Sequence, residues 1–435
     1  MKLVTQKGAF SWALYDWGNS AFATTVMAGF YPIFFKDFWS KGTEATVSTF
    51  WLGVTISSAS VVVAFLAPML GAMADHGGTK KRSLALFAGI GILATGCLFL
   101  VPEGSWHVSA FLYALASVGF LCSLVFYDSL LVSVSTQDTV DFVSARGYAL
   151  GYLGGGLLFL LNVLMVQHPA FFGLRNVTQA VSISFLTVAL WWGVFTVPLL
   201  LFVKEPPGGH RTMFREGARE GFRRLRRTFG EIKRLRVILL FLVAYWFYID
   251  GVDTIVTMAV DYGKSIGFST GDLITALLLV QFIAFPFSYL LGYLGQRWGA
   301  KPLILFCVAV YIVVTVLGSQ LKLEPFHLFG FDISRFYGIA VILATVQGGV
   351  QSLSRSFYSR IIPREKSAEF FGFYNMLGKF ATIVGPVLMG SVSRITGNPR
   401  AGIQSIALLF IVGGVLLWRV NEAEGRRVAA EMSGL

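Results

Sequence analysis

The sequence predicts an all-helical protein that crosses a membrane twelve times, on three observations. Of its 435 residues 55% are apolar and 13% charged, and the mean hydropathy is +0.69; soluble domains do not have this composition. The apolar residues gather into twelve runs of the length a helix needs to cross a hydrocarbon core of about 30 Å. A basic segment divides these runs six and six, and corresponding runs in the two sets end alike. Continuous apolar runs without period-two alternation exclude a closed β-barrel, the other structure that satisfies every backbone group in lipid.

The first run, 10–35, follows MKLVTQKGAF with no small-residue cleavage pattern, so it reads as a retained span and not a removed leader. Runs at 48–74, 83–101, 107–134, 146–168 and 178–203 complete a first bundle over 1–203. Residues 204–236 form a linker with eleven Lys and Arg against four Glu, a net of +7 (11 minus 4). Phe214, Phe222, Leu225, Phe229 and Ile232 recur there at three- and four-residue steps, the pattern of an amphipathic helix lying on anionic lipid. A second bundle over 237–435 holds runs at 237–260, 270–296, 302–321, 334–358, 367–393 and 401–419. Pro102-Glu103-Gly104, Pro206-Pro207-Gly208-Gly209 and Gly397-Asn398-Pro399 are typical of the segments between runs.

An even number of spans places both termini on one side. Lys80, Lys81, Arg82, the basic linker, Arg297, Lys301, Arg360, Arg364, Lys366, Arg426 and Arg427 all fall on that side, which makes it cytoplasmic. The formal charge of +12 therefore signals topology and membrane lipid, not nucleic acid. Compact loops suit a bacterial inner membrane.

Several chemistries find no motif. Cys97, Cys122 and Cys307 lie in apolar runs and suggest no disulfide framework. The five histidines sit in or beside loops without metal-ligand spacing. Gly372 to Gly378-Lys379 has the wrong spacing for a phosphate loop, with Phe380 after the lysine, and lies inside a run. HExxH and GxSxG are absent. No enzyme, metal or cofactor is expected. A channel or a receptor remains the rival class, but a twofold repeat about a basic hinge favours a transporter.

The repeat is visible at two places. Gly71-Ala-Met-Ala-Asp75-His-Gly-Gly-Thr-Lys80-Lys81-Arg82 closes run two, and Gly292-Tyr-Leu-Gly-Gln-Arg297-Trp-Gly299-Ala-Lys301 closes run eight. Tyr15-Asp-Trp-Gly18 in run one echoes Tyr248-Ile-Asp-Gly251 in run seven. The first motif resembles the loop signature of the major facilitator superfamily. That resemblance implies two pseudo-symmetric six-helix bundles around a central cavity. It also implies gating roles for Asp75, as the cap of a neighbouring helix, and for Lys80, Lys81 and Arg82.

Three longer segments narrow the resemblance: Tyr15 through Pro32, Arg146-Gly-Tyr-Ala-Leu-Gly-Tyr-Leu-Gly-Gly-Gly156, and Gly348 through Lys379. They are similar to the bacterial branch of the major facilitator family that includes the yeast vacuolar amino-acid effluxer of autophagy. Asp128 departs from the expected pattern, which has Asn there. The resemblance implies a small-molecule substrate such as an amino acid, and a chain that works as a monomer.

An ionisable side chain at mid-bilayer costs at least about 2.5 kcal/mol, so each is a functional candidate. Asp16, Asn19 and Ser20 share one face of run one, and Asp250, Asp253 and Thr254 one face of run seven. Run four offers Tyr127 and Asp128; run ten offers Gln347, Gln351 and Arg355 at four-residue steps. These are the four runs that the implied fold places around its cavity, with Gln281 and Lys379 at its flanks. Asp250, Asp253, Lys379, Gln347, Gln351, Gln281, Asn19 and Tyr127 are the expected substrate- or proton-binding residues. Asp16, Asp128, Arg146 and Arg355 are the expected inner gate, the alternative for each being a buried pair that only fixes packing. The cavity carboxylates make a proton or another ion the expected co-substrate. The glycines between Gly147 and Gly156 are expected to allow close helix packing.

Overall fold

The computed structural model describes residues 6–43, 45–77, 79–205, 235–328 and 331–432; most of the basic linker lies outside them. Every predicted run falls on helix. The first is α1 (Gln6–Ala21) continued by α2 (Tyr31–Phe34), with π-helical turns at Phe22–Phe30 and Phe35–Trp39. Then come α3 (Ala45–Gly77), α4 (Lys80–Cys97), α5 (Trp106–Val134), α6 (Val140–Gln167) and α7 (Val177–Phe202). After the linker follow α8 (Arg236–Ser265), α9 (Thr270–Trp298), α10 (Ala300–Ser319), α11 (Arg335–Ile361) and α12 (Ser367–Thr396). The last run is split into α13 (Pro399–Ser405) and α14 (Ala407–Arg419), and α15 (Glu422–Met432) ends the described chain. A short antiparallel hairpin, β1 (Phe326–Leu328) with β2 (Phe331–Ile333), pairs Phe326 with Ile333 between α10 and α11.

Among the described residues, ten of these segments are long and apolar enough to cross a membrane. Of the two other predicted spans, the first is broken into α and π turns, and α12 includes side chains at 379–383 that lie outside the described residues. Lipid faces are apolar, as Phe65, Leu93, Leu190, Val194 and Leu201 show by their exposure. These side chains have no water to avoid in a bilayer.

The helices gather into two compact units. One comprises Met1–Ser135, Leu150–Leu225 and Lys366–Met376; the other comprises Thr136–Ala149, Arg226–Glu365 and Leu377–Leu435. Each unit thus holds most of one chain half together with the opening turns of one helix from the other half, α12 in the first case and α6 in the second.

Taken separately, the units repeat one packing scheme. In the first, α4 lies along α5 and α7, α1 along α7, and α3 along α5. In the second, α10 lies along α11 and α14, α8 along α14, and α9 along α11. These are the same four pairings six spans later. Side chains repeat as well: the Tyr15 hydroxyl donates to Ser123 Oγ at 2.7 Å between α1 and α5, and Tyr248 shares a 2.7 Å hydrogen bond with Ser354 between α8 and α11. All four residues are buried. An interhelical hydrogen bond within a membrane is worth about 0.6 kcal/mol, so this pair sets helix register more than it stabilises the bundle.

Close approach through glycine does more. A Cβ on Gly71 would lie 2.1 Å from the Ala368 carbonyl oxygen, so α3 meets the opening turn of α12 backbone to backbone. A Cβ on Gly292 would lie 2.1 Å from Ala145 Cβ, and so α9 meets the opening turns of α6 in the same way. Gly71 and Gly292 are the glycines that begin the two repeated sequence motifs. Along α6, Gly151 faces Ser20 and Asp16, Gly154 faces the Trp17 ring and carbonyl, and Gly155 faces Ser20 and Thr24. The glycine run is a packing seam against α1.

Gly154→Val, whose Cβ would meet the Trp17 carbonyl oxygen at 2.5 Å, is expected to cost about 1–3 kcal/mol as an overpacking substitution. Gly89→Ala, with nothing within 4 Å, is expected to leave stability unchanged or higher. Thermal unfolding of the two purified variants checks this contrast.

Candidate functional site

Three polar clusters lie inside the helical units. The first joins α1 and α5. Asp16, 7% exposed, accepts a hydrogen bond from the Tyr127 hydroxyl at 2.8 Å. Trp12 fixes that tyrosine: its indole N–H donates to the Tyr127 carbonyl at 2.9 Å, and the two rings stack with centroids 4.3 Å apart. Asn19, one turn beyond Asp16, is buried with no hydrogen-bond partner on Nδ2. The next residue of α5, Asp128, accepts from Asn375 Nδ2 at 3.0 Å in the opening turns of α12.

The second cluster joins α8 and α12. Asp250 is 1% exposed, and both its oxygens accept the backbone N–H of Gly385, each at 3.0 Å. Thr254 Oγ1 adds a longer contact of 3.5 Å from one turn further on. Asp253 is half-buried on the same helix. On α11, Gln347 is buried with Oε1 unpartnered, and Gln351 is half-buried. Gln281 is half-buried on α9. Lys379 belongs to α12, but its side chain lies outside the described residues, as does that of Asp75 on α3.

The third cluster is the most heavily charged, and most of its members escaped the sequence reading. Asp141, with no exposed surface, accepts from Arg360 Nη2 and from Ser356 Oγ, both at 2.5 Å. Arg360 also donates to the Gln137 carbonyl at 3.2 Å, and Glu422 of α15 stands 3.8 Å from its Nη1. Next to this pair, Arg355 donates from Nε to Ser144 Oγ at 3.0 Å and from Nη2 to the Ser144 carbonyl at 2.8 Å. Its guanidinium lies over the Tyr148 ring, 4.4 Å from the centroid. Arg146, half-buried, belongs to the same unit. Of the four expected gate residues, then, Arg146 and Arg355 share one unit, and Asp16 and Asp128 share the other.

The basic turn between α3 and α4 is also tied down. Glu205 accepts the Lys80 N–H at 2.6 Å and the Lys81 N–H at 3.2 Å, which places a carboxylate on the positive end of α4. Lys80 Nζ donates to Ser367 Oγ at 2.8 Å, and Lys81 Nζ donates to the Val203 carbonyl at 2.7 Å. Arg82 is exposed.

The missed residues share a cause. Arg360 counts in sequence as one more cytoplasmic cation, and Asp141 falls in the gap between two apolar runs; nothing local marks them as a buried pair. Glu205 looks like part of a basic linker. Asn375 and Ser144 each gain meaning only from a partner more than 200 residues away.

The family model for vacuole effluxer Atg22-like proteins matches residues 4–430. The chain belongs to the Atg22-like family. It is 35% identical over 433 residues to the MFS-type transporter YxiO of Bacillus subtilis (strain 168), covering 98% of this chain and 97% of that one. Autophagy-related protein 22-1 of Penicillium rubens is 23% identical, with 91% and 79% covered. Among solved structures, the proton:xylose symporter XylE aligns with a TM-score of 0.69 at 14% identity over 97% of this chain and 96% of its own. The transporter FucP, in its outward conformation, aligns at 0.67 with 13% identity over 95% and 98%. This Atg22-like protein therefore has the major facilitator fold and is a multi-pass membrane transporter of that superfamily, not an enzyme.

Removing one member of a buried ion pair typically costs about 3–5 kcal/mol, because it strands the other charge. Arg360→Met is expected to lose that much, seen as a lowered unfolding midpoint in detergent. Asp141→Leu combined with Arg360→Met is expected to recover most of the loss. Equal losses in the single and double variants would show that the two charges are not coupled.

Proposed function

We propose that this protein is a secondary active transporter that moves a small polar or amphiphilic solute, an amino acid or a related metabolite, with a proton as co-substrate. The observation that carries the reading is a carboxylate buried in the first helix of each repeat, Asp16 at 7% and Asp250 at 1% exposure. In a chain of this superfamily, charges kept at such cost inside spanning helices are the natural carriers of ion and solute recognition.

Asp250 and Asp253 bind the proton. Gln347, Gln351, Gln281, Asn19, Tyr127 and Lys379 recognise the solute with donors and acceptors of both kinds, a mixture that suits a zwitterion. The unpartnered Asn19 Nδ2 and Gln347 Oε1 are free to do so. Alternating access takes the two repeats, 1–203 and 237–435, as its working halves, with 204–236 as a basic linker on the lipid surface. Asp16, Asp75, Lys80, Lys81, Arg82, Asp128, Arg146 and Arg355 control the cytoplasmic side. The protein works as a monomer in a bacterial inner membrane with both termini in the cytoplasm.

Purified protein in liposomes, loaded in turn with amino acids, sugars and organic cations, is expected to show counterflow of one class and accumulation when a pH gradient is imposed. Asp250→Ala with Asp253→Ala is expected to abolish the gradient-driven part and to spare counterflow. Gradient-driven accumulation that survives in the double variant removes the proton from those carboxylates.

A further inference from the structure

We infer that Asp250 is a charge-operated latch on α12: as an anion it holds the backbone at Gly385-Pro386, and when neutralised it lets that turn go. The inference rests on the proton-coupled reading above and supplies its moving part.

The contact is unusual in its partner. A buried carboxylate is commonly paired with a cation, yet Asp250 takes a backbone N–H from a neighbouring helix through both oxygens. That N–H belongs to the residue before Pro386, which has no N–H of its own and whose ring crowds the preceding turn. The helix is therefore weakest where the carboxylate grips it. Only glycine allows the grip, since a Cβ on Gly385 would stand 1.9 Å from Thr254 Oγ1 and 2.9 Å from Asp250 Oδ1.

The repeat supplies a control within the molecule. In the first unit the corresponding helices, α1 and α6, meet at the matching point through the Trp17 ring and carbonyl on Gly154. At that point of the first unit an aromatic ring and a backbone carbonyl face the glycine, where the second unit has a carboxylate on the glycine N–H. A hydrogen bond to a charged acceptor is stronger than one to a neutral acceptor, so adding a proton to Asp250 weakens the hold on Gly385 without removing any atom.

Among the described residues, other ionisable groups around this contact are few. Asp253 follows by nearly one turn on α8, and Lys379 precedes Gly385 on α12 with its side chain outside the described residues. On α11, Arg355 is engaged by Ser144 and Tyr148. Packed along α8, α14 brings no ionisable group before Arg419 at its end, and α13 brings Arg400, which donates to the Leu321 carbonyl. At the near ends of their helices, Asp272 of α9 is held by Ser269 and Tyr337, and Glu422 of α15 by Arg426. Of these, Asp253 is the group whose titration could imitate that of Asp250.

Amide hydrogen exchange of the purified full-length protein tests the latch without knowledge of the solute. Peptides covering 380–392 are followed across an acid-to-alkaline titration, with rates corrected for intrinsic chemistry. In the parent, protection is expected to fall about fivefold or more on acidification, the difference between a charged and a neutral acceptor. Asp253→Asn is expected to keep that response, and Asp250→Asn to lose it with low protection throughout. Asp250→Glu keeps a titratable carboxylate and is expected to retain a pH response, so it decides the case if the asparagine variant does not purify folded. A parent without the response, or an Asp250→Asn protein that retains it, overturns the latch. Liposome flux separates the two ideas: pH-driven accumulation lost in the Asp250 and Asp253 variants, with no exchange response in α12, would sink the latch alone.

Discussion

Within hydrocarbon no water is available to a stray backbone N–H or C=O, and each unmet group costs several kcal/mol. Most of this structure follows from that constraint. The chain is helical almost throughout its described length, and the paired strands at 326–328 and 331–333 lie between two spanning helices in the sequence. Helices cannot be drawn together in lipid by burial of apolar surface, so they approach through glycine, as at Gly71, Gly154 and Gly292. The same constraint makes the Asp250 to Gly385 contact consequential. Next to a proline that has no N–H of its own, the Gly385 N–H has taken a side chain from another helix as a partner.

The two repeats share their helix pairings, their buried Tyr and Ser bonds, and their glycine contacts at the ends of α3 and α9. They differ in what the buried carboxylate of the first helix touches. The first unit buries Asp16 against a tyrosine that is itself clamped by Trp12; the second buries Asp250 against a backbone amide. A scaffold that repeats needs the same packing twice. The packing is what repeats, and the partners of the buried carboxylates are where the halves differ.

Arginine has two different uses in this protein. Arg82 and Arg297 stay exposed. Arg355 and Arg360 are buried at 2% and 5% exposure, each with several oxygen partners. The planar guanidinium makes this burial tolerable because it can satisfy several acceptors at once. The Asp141 and Arg360 pair sits where the opening turns of α6 meet the closing turns of α11, and Glu422 extends the network to α15. The ends of these three helices are thus tied by charge.

The sequence by itself determined the class of fold, the spans and the repeat, because hydropathy over some twenty residues reports directly on the cost of placing a segment in lipid. It also marked Asp16, Tyr127, Asp128, Asp250, Gln347 and Arg355 as polar groups inside spans, since such groups stand out against apolar neighbours. Only the tertiary structure decided what each of them touches. The partners of Asp250, Asp128 and Arg355 are a glycine amide, an asparagine and a serine, residues with no signal of their own in sequence. Asp141 and Arg360 were hidden for a related reason: at the ends of helices a charge reads as solvated, and whether it is solvated or buried depends on which other helix end lies against it. Span content is a local property of the chain, whereas charge pairing is a property of the packed bundle.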